Sequence, residues 1–464
     1  MPMSTIVALA TGENIAAIAL LRLSGEDAHR IATQHFVSSY SNPPFPSRRA
    51  LLGNMVLAGE ELDQVLLTLF TAPNSYTGED MAEIACHGSP YIIHTLLAAL
   101  IQEGAQAAKP GEFTYRAFLN GKLDLTQAEA VNELIASRTA AQHRTAFLQL
   151  EGALSTQIAE LRAKLLELTS LIELEIDFSD QDVEFVPRKQ LAELAEKIQT
   201  QLAALCASFR SGNAIQNGLP VTIAGAPNAG KSALLNFFLQ EERAIVSDLP
   251  GTTRDAIHGE IVVNGITIRF TDTAGLRDTE DRIEQLGIER TLKFLQASPL
   301  ALLLVDLANT PHGEHLAAFQ LLLTKLPENA QPLFLLSKAD LVDEATAQEV
   351  LRSIQTALPT ITVALWSSKT GEGEEEIRRW LEEKTRQYLP TEGGFVITNA
   401  RHFEALSAAR EEAIELLEAI HAGLSSDLLS FHLRRIIHLL GELTGEIPPQ
   451  EILSNIFRHF CIGK

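Results

Sequence analysis

Apolar positions in residues 1 to about 120 fall into two patterns. The short runs "STIVALA", "AAIALLRLSG" and "DQVLLTLFTAP" predict strands, the last closed by Pro73. "SPYIIHTLLAALIQEG" repeats at helical spacing and stops at Gly104, so this part of the chain reads as mixed α/β. From about 121 to 217 long helices take over. Leu154, Ile158, Leu161, Leu165, Leu168 and Ile172 follow at intervals of 4, 3, 4, 3 and 4, an a/d seam. So short a seam predicts packing inside a helical bundle rather than a coiled coil with a partner. Pro187 marks a break, and "LAELAEKIQTQLAALC" begins the next helix.

Residues 218 to about 377 alternate strand and helix, which predicts a mostly parallel sheet. The strands are "LPVTIAG", the hairpin "EIVVNGITIRFTD" turning at Asn264-Gly265, "LALLLVD", "QPLFLLS" and "TITVALWSS". The acidic run "GEGEEE" predicts a solvated helix start, where carboxylates oppose the helix dipole. Beyond it, "RHFEALSAAREEAIELLEAIHAG" and "DLLSFHLRRIIHLLGEL" predict two more helices. The fold class expected is multidomain, α/β plus all-α. An N-terminal α/β domain spans 1–120, a helical domain comes in two parts, 121–217 and 378–464, and an α/β domain over 218–377 is inserted between them.

Composition agrees with several soluble domains. The chain has 464 residues, 46% hydrophobic and 21% charged, which is too long for one ordinary core. Its 37 basic and 59 acidic residues leave a net charge of −22, which argues against broad nonspecific nucleic-acid binding. Local basic clusters such as "FHLRRIIH" and "RAFLNGK" remain. Cys86, Cys206 and Cys461 form no CxxC pair, so a reducing, cytoplasmic setting is expected. The apolar stretch Ile15 to Leu21 has no Lys or Arg before it, unlike a secretory signal, and no run is long enough to span a membrane.

The candidate chemistry starts at "GAPNAGKS", Gly225 to Ser232, which matches G-x-x-x-x-G-K-[ST] between a strand and a helix. Such a loop, including Asn228, Ala229 and Gly230 and followed by Ala233, wraps phosphates with backbone N–H groups at a helix N-terminus. Lys231 would reach the β- and γ-phosphates and the Ser232 hydroxyl would hold Mg²⁺. "GTTRD" supplies Gly251, Thr252 and Thr253, with Thr253 for Mg²⁺ and the γ-phosphate. "DTAG" supplies Asp272, Thr273, Ala274 and Gly275 at a strand end. "SKAD" supplies Ser337, Lys338, Ala339 and Asp340, and the Asp340 carboxylate can accept both N1–H and the exocyclic N–H of guanine. "SSK", Ser367, Ser368 and Lys369, would line the base. All these pieces lie outside the carboxyl ends of the parallel strands, where ligands bind, and the ordered set indicates GTP rather than ATP.

Two positions depart from the usual pattern. Ser337 stands where such GTPases carry Asn, which predicts retained GTP specificity with somewhat weaker affinity. Leu276 follows the DxxG glycine, where a Gln would orient water. The candidates to replace that Gln are Arg277, Glu280, Glu284 and Glu289; each taken singly reads more simply as a helix surface charge.

Taken together, "NSYTGEDMAEIACHGSP", "KPGEFTYRAFLNGKLDLTQAEAV", the P-loop, "GTTRD", "DTAGLR" and the terminal "CIGK" resemble the MnmE (TrmE) family of bacterial tRNA modification GTPases, from end to end. The resemblance implies an N-terminal domain that binds a tetrahydrofolate derivative, in the 5,10-methylene or 5-formyl form. It also implies a discontinuous helical domain and an inserted Ras-like G domain, in a homodimer joined through the N-terminal domains. It further implies an MnmG-like partner that carries the FAD and forms a heterotetramer. The pair would add an aminomethyl or carboxymethylaminomethyl group to C5 of the wobble uridine of certain tRNAs. MnmG is then expected to make most of the tRNA phosphate contacts.

Residues carried over from the family are Arg22, Glu83, Lys122 and Lys464 for folate. Asn228, Ser247, Leu249 and Thr252 would hold K⁺, which adds positive charge at the transferring phosphate. Asp248 and Pro250 fall in the same GTP-contacting loop. Glu284 matches the glutamate that orients the attacking water, Arg277 stands beside it as a catalytic candidate, and Arg254 matches a switch-loop arginine. The chain departs from the family at "TGENIAAIALLRLSG" and "CHGSP", both near the implied folate pocket.

The tail "CIGK" has three readings: a prenylation signal, a frayed end, or a thiol and a charge delivered to a site. Lys is a poor last residue for prenylation. The resemblance places Cys461 and Lys464 beside the folate, with Cys461 a candidate nucleophile tuned by Arg458 and His459, or an inert ordered thiol. Two rival functions stay open: a regulatory switch of the ribosome-assembly type, as in Era or Der, and a stand-alone folate enzyme with a regulatory G domain.

Overall fold

A computed structural model gives the architecture. It describes all residues except 1–2, 13, 39–41, 178–186, 240–258, 273–297, 312, 391–393, 447–452, 454–455, 459, 461–462 and 464. The chain forms two compact units, one of residues 1–136, 146–203 and 404–464, the other of residues 137–145 and 204–403.

In the first unit, a seven-stranded sheet runs in the order β3-β4-β5-β6-β2-β1-β7. Its strands are β1 (Ile6–Leu9), β2 (Ala16–Ser24), β3 (Phe36–Val37), β4 (Ala50–Leu57), β5 (Glu60–Phe70), β6 (Met81–Gly88) and β7 (Gln106–Ala107). Only the β1–β7 pair is parallel. Alternate residues Val65, Leu67 and Leu69, with Leu21, Leu23, Ala82, Ile84 and Cys86, face α1 (Ala28–Thr33) and α2 (Pro90–Gln102) and are buried. The strands β4 and β6 have no counterpart in the elements expected from the sequence. Two short helices follow, α3 (Glu112–Leu119) and α4 (Leu125–Ala136), and then α5 (Ala140–Leu150).

The expected seam lies on α6 (Ala153–Asp177), and all six of its residues are buried. The next helix, α7 (Arg188–Asn217), starts directly after Pro187, as a helix does when proline occupies its entry.

The second unit holds a six-stranded sheet in the order β13-β12-β11-β8-β10-β9. Its strands are β8 (Leu219–Gly225), β9 (Gly259–Val263), β10 (Ile266–Asp272), β11 (Leu300–Asp306), β12 (Gln331–Ser337) and β13 (Thr362–Trp366). Every pair is parallel except the β9–β10 hairpin, which turns at Asn264-Gly265 as the sequence predicts. The parallel strands are nearly continuous apolar runs because both faces are covered. One face packs Leu302, Leu304, Leu335 and Trp366 against α8 (Lys231–Leu239) through Leu234 and Phe238. The other packs Leu303, Val305, Phe334 and Leu336 against α9 (His315–Leu323) and α10 (Glu344–Ala357) through Phe319, Val350 and Ile354.

The acidic run does open a helix, α11 (Glu374–Arg386), with Glu374, Glu375 and Glu376 in its first turn. Its Ile377, Trp380 and Leu381 join the sheet core. The second unit therefore extends to residue 403, beyond the expected boundary at 377. The last two long helices are α12 (Ala400–His421) and α13 (Ser426–Thr444). On α13, Leu429, Leu433, Ile436 and Leu440 are buried at helical spacing, and Arg434 pairs with Glu173 of α6. The seam of α6 thus joins helices from both sides of the inserted sheet. Leu165→Ala is expected to lower stability by about 2–5 kcal/mol, read as a lower urea midpoint; a midpoint unchanged from wild type would show that the seam is not packed.

Candidate functional site

Strand register decides where the polar groups of the second unit collect. Leu304 pairs with Gly225, Asp306 with Ser337 and Ser337 with Trp366, so β8, β11, β12 and β13 end together at one edge. Asp272 closes β10 on the same side, in a strand parallel to β8. The loop after β8 then turns into α8. Asn228 and Gly230 adopt left-handed backbone, with φ of 61° and 93°. Gly230 supplies that conformation without strain. Lys231 is 7% exposed, and its Nζ donates to the carbonyls of Gly225 at 2.9 Å and Ala226 at 2.8 Å. Ala229 is buried, while Asn228 and Ser232 are exposed and Ala233 is half-buried. A loop so wrapped, at the start of a helix, is a cradle for phosphate.

The residues expected to read the base lie at the ends of β12 and β13. Ser337 is fully buried, and its hydroxyl donates to the Ala229 carbonyl at 2.7 Å, with the Val305 carbonyl at 3.2 Å. The serine therefore braces the phosphate loop. Lys338 is left-handed, with φ of 60°, and its Nζ bonds Asp306 Oδ2 at 2.5 Å. Ala339 is buried and begins a short 3₁₀ turn, Ala339–Leu341, with Asp340 in its middle. Asp340 Oδ1 accepts from the Ser367 hydroxyl at 2.7 Å, and Lys369 Nζ lies 3.6 Å from Oδ2. The Ser367 hydroxyl, and behind it Lys369, hold the Asp340 carboxyl below the usual carboxylate range. Ser368 is exposed between them. The arrangement presents an ionised, acceptor-only group at the sheet edge.

Asp306 was not singled out from the sequence. It accepts from the backbone N–H groups of Ala308 and Asn309 and from the Asn309 amide, and so fixes Lys338. The available signal was a carboxylate ending a parallel strand on the ligand edge.

In the first unit, Arg22 of β2 and Glu83 of β6 are register partners on the sheet face opposite α1 and α2. Arg22 Nε and Nη2 both donate to Glu83 Oε1, at 2.9 and 2.8 Å. Its Nη1 reaches the Gly463 carbonyl at 3.4 Å. The Tyr76 and Phe113 rings lie 5.6 and 5.9 Å from its guanidinium carbon. Lys122 donates to the Pro73 carbonyl at 3.1 Å, so Lys122 and Arg22 contact the same 71–80 loop. Neither aromatic ring was foreseen, since nothing in the spacing joins residues 22, 76 and 113.

Among the described residues near the C-terminus, Phe457, Phe460 and Gly463 are held in place. Phe457 meets Tyr115 edge-on at 5.2 Å, and Phe457 and Phe460 pack with Leu125 and Ala128. Gly463 has φ of 90°, and a Cβ there would sit 2.4 Å from the Leu9 carbonyl oxygen, so only glycine fits. Ser247, Asp248, Leu249, Pro250, Gly251, Thr252, Thr253, Thr273, Ala274, Gly275, Arg277, Glu284, Cys461 and Lys464 lie outside the described residues.

A phosphate cradle and a fixed carboxylate on one edge of a mostly parallel sheet are the parts of a P-loop GTPase unit, and the chain adds an N-terminal α/β domain and long helices. Residues 5–122 match the family described as the GTP-binding protein TrmE N-terminus, and residues 125–461 match the MnmE helical domain. The tRNA modification GTPase MnmE of Christiangramia forsetii is 43% identical over 470 residues, covering 99% of each chain. That of Bacteroides thetaiotaomicron is 42% identical over 468 residues and the whole of both chains. The chain belongs to the MnmE family of tRNA modification GTPases.

Cys86 marks what is not a reactive thiol. It is buried on β6, and burial, with Asp63 adding to it, pushes its pKa up to about 11. At pH 8 the thiolate is then rare. Iodoacetamide at pH 8 should leave Cys86 unmodified in the folded protein and alkylate it after unfolding, as peptide mass spectrometry would show; rapid labelling of the folded chain would contradict the burial.

Proposed function

We propose that this protein hydrolyses GTP and, with an FAD-containing partner of the MnmG type, installs an aminomethyl or carboxymethylaminomethyl group at C5 of the wobble uridine of certain tRNAs. The relatives' names support the tRNA modification part. The observation that carries the one-carbon part is the meeting of Arg22, Glu83 and Gly463 at one place in the first unit. A carboxylate suits the donor edge of a pterin, aromatic rings suit its face, and an arginine or lysine suits a glutamyl tail. The chain residues there fit a tetrahydrofolate derivative, with Lys122 and Lys464 for its carboxylates. When bound, the folate supplies the one-carbon unit, and Cys461 acts as nucleophile or positioning thiol beside it.

On the nucleotide side Lys231 binds the β- and γ-phosphates and Ser232 and Thr253 hold Mg²⁺, which the wrapped loop at the start of α8 fits. Asn228, Ser247, Leu249 and Thr252 hold K⁺, Glu284 orients water, and Arg277 supports the site. The four-part division of the chain, with the G domain inserted into the helical domain, belongs to the same proposal. So does a cytoplasmic setting. Among the described residues no helix is long and apolar enough to cross a membrane.

A homodimer through the N-terminal sheet is supported by exposed leucines on its face opposite α1 and α2. Leu52, Leu66, Ala85 and Leu20 are successive register partners there, and Leu52 and Leu66 are 39% and 45% exposed. Leu66→Glu should give a monomer in sedimentation velocity; a dimer that persists at micromolar concentration would place the interface elsewhere. The main test is nucleoside mass spectrometry of tRNA from a strain lacking the gene. C5-modified wobble uridine should vanish and return with the wild-type gene but not with Cys461→Ser. An unchanged nucleoside profile would sink the modification proposal, and full rescue by Cys461→Ser would remove the chemical role of the tail.

A further inference from the structure

We infer that Ser337 braces the phosphate loop and does not read the base, so that guanine is recognised at its donor edge by Asp340 while its N7 goes unread by this motif. The inference deepens the nucleotide proposal above and rests on it.

The reason is a count of protons. A serine hydroxyl has one to give. Two acceptors already face the Ser337 hydroxyl, the Ala229 carbonyl at 2.7 Å and the Val305 carbonyl at 3.2 Å. Guanine's N7 is a third acceptor. The lone pairs of Oγ offer N7 nothing, because two acceptors do not bond. Turning the proton toward N7 would take the shorter bond from Ala229, a residue with no exposed surface, and leave its carbonyl without that donor. The loop that holds the phosphates would lose its brace at the moment the base gained a contact.

Neighbouring donors are also engaged. Lys338 Nζ is on Asp306, and the Ser367 hydroxyl is on Asp340. Behind Ser337 stands Trp366, the largest fully buried side chain described. A Cβ on Gly230 would lie 3.3 Å from Trp366 Cζ3 and 3.9 Å from Ser337 Cβ, so the indole and the serine back the same glycine of the loop. Ser337 and Trp366 are register partners, so a small side chain at 337 lies beside a large one at 366.

Asp340 is left as the discriminating group. Its carboxylate, steadied by Ser367, keeps acceptor capacity for N1–H and the 2-amino group. The site should then respond to loss of the 2-amino group and be indifferent to loss of N7.

The test is a set of equilibrium affinities of the full chain, with Mg²⁺, for GTP, 7-deaza-GTP, inosine triphosphate and ATP. GTP and 7-deaza-GTP should agree within about threefold, and inosine triphosphate should bind at least about tenfold more weakly than GTP. Ser337→Ala should weaken GTP and 7-deaza-GTP by the same factor, because it removes a brace common to both. A 7-deaza-GTP affinity more than about threefold below that of GTP would overturn the inference. Inosine triphosphate binding as tightly as GTP would overturn the part given to Asp340. A Ser337→Ala chain whose two affinities diverge would overturn the part given to Ser337. GTP binding no tighter than ATP would instead remove the nucleotide proposal beneath it, a result distinct from the others.

Discussion

The parallel ladder that joins β8 to β10 on one side and β11 on the other is the constraint on which the nucleotide half depends. Parallel strands in register must start at one edge and finish at the other. The phosphate loop, Asp272, Asp306, Ser337 and Trp366 therefore arrive together though they are far apart in the chain. Burial enforces the register: shifting any of these strands by one residue would exchange the side chains facing α8 with those facing α9 and α10. What looks like a site assembled from five motifs is one consequence of a sheet covered on both faces.

The other half uses a cross-strand pair. Arg22 and Glu83 are opposite one another on antiparallel strands, where side chains directly across are closest. Both are partly shielded, and the arginine spreads its donors between a carboxylate and the Gly463 carbonyl. The pair links the sheet to the end of the chain, and the phenylalanines at 457 and 460 hold that end against α3 and α4. Both halves hold a carboxylate fixed by a neighbouring donor, Glu83 by Arg22 and Asp340 by Ser367.

Much of this was legible in the sequence. The α6 seam, the Asn264-Gly265 hairpin and the P-loop between strand and helix were each written in local pattern. The strands β4 and β6 were not, because "ALLGNMVL" carries Gly53 and Asn54 and "MAEIACHG" mixes Glu83 and His87 among its apolar positions. An amphipathic helix such as α11 shows in its sequence that it has an apolar face but not which core receives it. Contacts that depend on tertiary closure, such as Tyr76 and Phe113 beside Arg22, leave no local trace. The serine at 337 could be seen to differ from its usual counterpart, but only the geometry shows where its proton goes.

Lys231 bears on how ligand capture is timed. A lysine side chain freezes several rotors when it is pinned, and losing that freedom costs about 1.5–2 kcal/mol. Here two main-chain carbonyls of the same loop already hold the ammonium in a nearly closed setting. Most of that entropic loss is therefore built into folding, and in the proposed role a phosphate would exchange one set of acceptors for another instead of ordering a mobile chain. The charge waits in place, and encounter with a polyanion becomes a matter of approach and desolvation rather than of conformational search.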